Sequence, residues 1–143
     1  MDVRLVGRDT MLLTIQKIEN TDKAILVTGV TPCGTLKGIW KDDGSEPLQG
    51  RSYNVELTLG LNKQSIERKD VIIEKKQTEP LIAIQCDSVR FIGLCEEIED
   101  IYFIRFSPDA LEILDIANDD HTITVGDYLT FSLPFNEIGI YPY

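Results

Sequence analysis

Apolar residues recur at every second position along most of this chain, the period of a strand with one face against a core. Tyr53, Val55, Leu57 and Leu59 alternate with Asn54, Glu56 and Thr58, which predicts a strand with one wet face. Residues 12–18 and 24–30 are apolar-rich runs flanking the polar residues 20–23, the pattern of a hairpin. Residues 35–41, 71–74, 81–86, 89–97, 101–107 and 128–135 also predict strands, whereas the polar residues 62–70 suit a loop or one short helix.

Ser107-Pro108-Asp109-Ala110 fits two local structures. It is a good helix start, with Ser as N-cap and Pro at the first helical position. It is also a type I turn with Pro at its second position. Leu111 and Ile113 alternate with charged neighbours, which favours the turn and a hairpin. Short strands separated by turn signals predict an all-β fold. We expect a single-domain barrel or sandwich of about eight to ten mostly antiparallel strands, with at most one or two short helices. One internal echo is visible. Gly50-x-x-Tyr53-x-Val55-x-Leu57 matches Gly126-x-x-Leu129-x-Phe131-x-Leu133, as any strand leaving a glycine turn would.

Length and composition fit that picture. A chain of 143 residues suits one domain over 1–143, able to bury roughly 70% of its unfolded surface without disulfides or metal. The apolar runs at 24–27, 81–84 and 101–104 are far shorter than the roughly 18 residues a membrane helix needs. Residues 1–9 interleave acids and bases, unlike a signal peptide. Cys33, Cys86 and Cys95 are odd in number and widely spaced, which argues against a disulfide framework and a zinc site. A reduced, cytoplasmic protein is the expectation.

The candidate chemistry is thin. His121 is the only histidine, so no two-histidine metal site exists in this sequence, and a Cys33–His121 dyad is the one nucleophilic pairing left open. Gly29 to Gly34 has the spacing of a phosphate loop, but Thr35-Leu36 stand where Lys-Ser/Thr is needed and a strand follows in place of a helix. Asp115, Asn118, Asp119 and Asp120 lack the register of a calcium loop. The acids at 96–100 fit a solvated hairpin tip, and catalytic use would require one desolvated carboxyl. No catalytic residue, cofactor or metal is expected.

Charge is more informative. Against 14 basic residues stand 24 acidic ones, a net charge of −10 that disfavours phosphate-tracking nucleic-acid binding. Residues 1–80 hold 12 acids and 12 bases, while residues 81–143 hold 12 acids with only Arg90 and Arg105. Nine of the eleven aromatics also lie in the second part. Glu96, Glu97, Glu99 and Asp100, with Asp115, Asp119, Asp120 and an exposed Tyr102, would form a face for a basic partner. Arg105, inside an apolar run, should pair with a carboxylate.

The expected function is therefore a non-enzymatic acidic protein-binding module. One form of it is an immunity or inhibitor protein that covers the cationic active site of a nuclease-type toxin in bacteria. The alternatives are a small-ligand-binding β-barrel, a carboxylate-based enzyme, or an accessory subunit with residues 140–143 docked on a neighbour.

Overall fold

The computed structural model describes residues 10–42 and 44–143. The acid–base pattern of residues 1–9, and Asp43 in the loop after residue 41, lie outside the described residues. Thirteen strands occur among those described. They are β1 (Met11–Asn20), β2 (Ile25–Thr31), β3 (Gly34–Trp40), β4 (Ser52–Leu59), β5 (Ile66–Glu67), β6 (Ile72–Glu74), β7 (Leu81–Gln85), β8 (Ser88–Ile98), β9 (Tyr102–Ser107), β10 (Ala110–Leu114), β11 (Ile116–Ala117), β12 (Tyr128–Pro134) and β13 (Ile138–Pro142). Among the described residues the helical content is two 3-10 turns, Arg68–Asp70 and Phe135–Glu137. The chain is an all-β single domain with a closed barrel core and extra strands. The strand count exceeds the expected eight to ten partly because β5 and β11 are a two-residue parallel pairing too short to leave a periodic signal.

β1, β2 and β3 form consecutive antiparallel hairpins, and β4 returns to lie beside β1. That spatial order, 4-1-2-3, is a Greek key. β13 then slots between β3, to which it is parallel, and β4, to which it is antiparallel, closing a five-stranded barrel. Its interior is filled by side chains. Met11, Leu13, Ile15, Val27, Leu36, Val55, Leu57, Ile138 and Ile140 are all buried, as expected where a small barrel has no room for more. Residues 138–142 are this fifth barrel strand, and Tyr143 beyond it is 63% exposed. Ile138, Gly139 and Ile140 are buried on both faces of the strand, so the alternation that marks a half-wet strand never appears.

The second region wraps on this barrel. β7, β8, β9 and β10 form an antiparallel meander, β12 lies on the other edge of β8, and β6 flanks β12. Phe91 stacks on Phe131 at 5.2 Å and tilts against Phe106 at 5.7 Å, which gives this region its aromatic core. Residues 107–110 form the favoured hairpin turn, with Ala110 opposite Ser107. The two echoing glycines both hold positive φ, +84° at Gly50 and +100° at Gly126. Their strands sit in different surroundings, β4 between β1 and β13 and β12 between β8 and β6, so what they share is turn chemistry.

Among the described residues the wrap's sheet pairs with the barrel where β7 meets β3. Gly34 pairs with Ile82, and the Ile82 N–H donates to the Cys33 carbonyl at 3.0 Å. Gly34 has φ +138°, and a Cβ there would lie 1.9 Å from the Ile82 carbonyl oxygen, so only glycine lets the two backbones meet. From that junction the sheet curls through β8, β9 and β10 until β10 faces the edge of β4.

Candidate functional site

The curl stops one side chain short of closing. β1 pairs with β4 only as far as Met11 opposite Val55, so from Leu57 onward that edge of β4 is paired with no strand among the described residues. β10 is paired on one edge, with β9. Across the seam the Leu57 N–H donates to Glu112 Oε2 at 3.0 Å, and Glu112 is 1% exposed. A carboxylate thus caps a strand edge, which satisfies a backbone donor that burial would otherwise leave costly.

Above that contact lies an open groove of about 460 Å³. Leu61, Leu111, Ile113 and Tyr141 supply its apolar surface, and Glu56 and Asp115 are its charged side chains among the described residues. Glu56 accepts a hydrogen bond from the Tyr143 phenol. That bond, with burial and the added negative charges of Glu56 and Glu112, pushes the Tyr143 pKa up to about 12. The strand alternation inverts expectation here. Ala110, Glu112 and Leu114 are the buried face of β10, while Ile113 is 41% exposed. A register shift between Ala110 and Leu111 accompanies this, the kind of irregularity that re-aims side chains.

Six of the seven acids expected to form a partner face fall into three groups, and Asp119 is tied to Tyr102. Asp115 lines the groove. Glu97, Glu99 and Asp100 are exposed at the tip of the β8–β9 hairpin and make no ion pair among the described residues. Glu96 and Asp120 are neutralised by guanidinium groups. Arg105 grips Glu96 through two 2.7 Å contacts, the carboxylate partner expected for it, and Arg68 holds Asp120 at 3.0 Å. These groups lie at one end of the molecule. Leu114 is opposite Tyr102, and Tyr102 is opposite Ile98, so the strand ends carrying Asp115 and Glu99 are neighbours.

Tyr102 is a correction. It is 4% exposed, and its phenol donates to Asp119. Burial and that neighbouring carboxylate hold its pKa well above the ordinary phenol range. Tyr102 ties the 118–121 loop to β9 and offers no ring to a partner. Burial pushes the Asp119 carboxyl up, but the hydrogen bonds from Tyr102 and the His121 N–H outweigh it, leaving a lowered pKa. Asn118 bonded to Glu67, and Arg68 bonded to Asp120 and Thr122, fasten the rest of this loop.

Among the described residues no activating partner stands beside Cys33 or Cys95. Burial raises the pKa of Cys33, whose thiol contacts Thr31 Oγ1 at 3.6 Å, while His121 is 88% exposed with Nδ1 3.6 Å from Asp119. Cys95 is pushed up to about 11 by burial and by the charge of Asp127. Gly29 to Gly34 runs from β2 into β3, so no helix N-terminus follows to hold an anion.

No protein-family model, curated protein or solved structure matches this chain. Among the described residues no helix is long and apolar enough to cross a membrane. Sequence periodicity passed over Glu56, Glu112 and Tyr143. The only available signal was Glu112, an acid set between Leu111 and Ile113 in a strand otherwise apolar from Ala110 to Leu114.

Proposed function

We propose that this protein is a non-enzymatic binding module for a basic protein, in which the β4–β10 groove and the hairpin tip beside it form the contact surface. The observation that carries this is the groove's lining. It is apolar where a side chain would be buried, and the charged side chains that line it among the described residues, Glu56 and Asp115, are both acidic. Interfaces need an apolar centre with a polar rim, and a one-signed rim steers an oppositely charged partner and speeds its arrival. A nuclease site built for phosphate presents such a cationic surface. Immunity of the toxin-neutralising kind, exercised inside a bacterial cell by covering that site, is the role this chemistry suits best.

The test is binding to basic nuclease domains across a salt series, by calorimetry. Affinity should fall as salt rises, and reversing Glu97, Glu99 and Asp100 together to Lys should slow association without unfolding the protein. Binding that is tight and indifferent to both salt and reversal would refute the acidic surface.

A further inference from the structure

We propose a second site, opposite in sign to the first: a cleft at one end of the barrel, between the β1–β2 hairpin and the 61–62 loop, binds a small phosphate monoester with an apolar body. Lys23 and Lys41 hold its phosphoryl oxygens. This does not rest on the basic-partner proposal above.

The barrel itself builds the cleft. β2 and β3 pair with Leu26 opposite Ile39, and the same register carries Ala24 opposite Lys41 on that face. Ala24, Leu26, Ile39 and Leu61 give the cleft an apolar floor. Its volume is about 570 Å³, within the roughly 300–1,000 Å³ of small-molecule sites. The walls are fastened. At the hairpin tip Thr21 Oγ1 accepts the N–H groups of Lys23 and Ala24 and donates to the Ala24 carbonyl. On the far side the Gly60 and Leu61 N–H groups donate to the Glu137 carbonyl, and the Asn62 side chain donates to the Asn136 carbonyl. A site shaped before its ligand arrives loses less freedom on binding.

Charge singles this cleft out. The protein has a net charge of −10, and Lys17, Lys37, Arg68, Lys75 and Arg105 each hold a carboxylate. Lys23 and Lys41 both line the cleft, and neither forms an ion pair among the described residues. No Asp or Glu is among the described lining residues. Asp42, next to Lys41, is turned instead to the Ser45 hydroxyl and the Gly44 N–H. At physiological ionic strength exposed charges more than about 8 Å apart are largely screened, so remote acids do not cancel two local lysines.

Two lysines match a phosphate monoester, which carries about −1.5 to −2 at neutral pH, better than they match one carboxylate. Lysine binds phosphate as a point charge. The Asn136 side chain, also in the lining and without a hydrogen-bond partner among the described residues, adds a neutral donor. The apolar floor gains only from a ligand with an apolar body, which favours the ester over inorganic phosphate.

The test titrates the full chain, isotopically labelled, with phenyl phosphate, inorganic phosphate and benzyl alcohol, and locates each by amide shifts. Phenyl phosphate should move the amides of residues 23–26, 39–41 and 61–62 and bind more tightly than either fragment. Lys23→Gln with Lys41→Gln should weaken it about tenfold or more. Lys76→Gln, at an exposed lysine outside the cleft, should leave binding unchanged. Equal binding after the double replacement overturns the proposal, as do shifts confined to other residues or no shift at millimolar ligand. Inorganic phosphate binding as tightly as the ester would mean an adventitious ion only, and benzyl alcohol doing so would mean a cleft that ignores charge. Either result overturns the proposal. Basic nuclease domains are assayed separately, so failure here leaves the basic-partner proposal standing.

Discussion

The barrel and the sheet wrapped on it are made of the same kind of short antiparallel strand, yet only the barrel closes. Five strands suffice for the barrel because β13, arriving last in the chain, fills the gap between β3 and β4. The wrap, anchored to β3 at Gly34, runs out of strands at β10 and meets β4 through a carboxylate. Closure removes edges, and an unclosed sheet must do something with the one it has left. The charge follows the same division, since the −10 of the whole chain comes from residues 81–143, which hold the wrap's meander. Bases are scarce, and the charge is therefore net negative, in the region whose last strand β10 is paired on one edge only among the described residues.

The largest test of that division asks whether the two regions unfold together. Phe91 is fully buried between Phe106 and Phe131, so Phe91→Ala should cost about 3–5 kcal/mol. Trp40, the only tryptophan, lies in the barrel strand β3 and reports on the barrel by fluorescence. In urea, the Trp40 transition should shift together with far-UV circular dichroism, as one cooperative unit. A barrel signal that stays put while the rest melts would make the wrap a separate unit.

Gly34→Ala attacks the joint between the regions. The new Cβ meets the Ile82 carbonyl at 1.9 Å and must also adopt an unfavourable positive φ. Strain of both kinds should cost about 2–4 kcal/mol in the same urea measurement. If the variant is as stable as the parent, the β3–β7 contact contributes little and the wrap is held by side chains alone.

Much of this fold is legible in the sequence because half-buried strands advertise themselves. β4 and β12 alternate cleanly behind a turn glycine, and both form as the pattern demands. The rest is hidden for physical reasons. β13 is buried on both faces, so it carries no alternation, and its partners β3 and β4 are remote in sequence. The site was half visible. Asp115 and the hairpin acids stand out by charge, but the groove exists only because β10 and β4 meet in space, and no local pattern encodes that meeting. Tyr102 misled because an aromatic beside acids looks alike whether its hydroxyl faces solvent or a buried Asp119.

A smaller effect bears on the seam. Glu112→Ala removes the acceptor of the Leu57 N–H and should destabilise the protein by about 1–3 kcal/mol, measured by thermal unfolding. Glu112→Gln should cost less, since its amide oxygen still accepts that bond. Equal losses in the two variants would mean that the negative charge, and not the hydrogen bond, holds the seam.

The smallest effect compares one buried carboxylate from each region under acid. Asp127, in the wrap, takes Lys75 Nζ and the Thr124 N–H at 2.8 Å each. Glu137, at the turn into β13, takes the N–H groups of Asn62 and Lys63 at 3.1 and 2.9 Å. Burial pushes both carboxyls up, but these hydrogen bonds prevail, and both end below their ordinary values of 3.8 and 4.5. A carboxyl whose folded value is the lower one binds protons more weakly when folded. Its contribution is therefore complete above the ordinary value and drains away as pH falls through the folded value. Stability should hold down to the ordinary carboxyl range and decline below it. Asp127→Asn and Glu137→Gln should each flatten that decline while lowering stability at neutral pH, with the acid limb followed by circular dichroism. If only Glu137→Gln flattens it, acid opens the barrel first and the wrap follows. If only Asp127→Asn does, the open-edged region is the one that gives way.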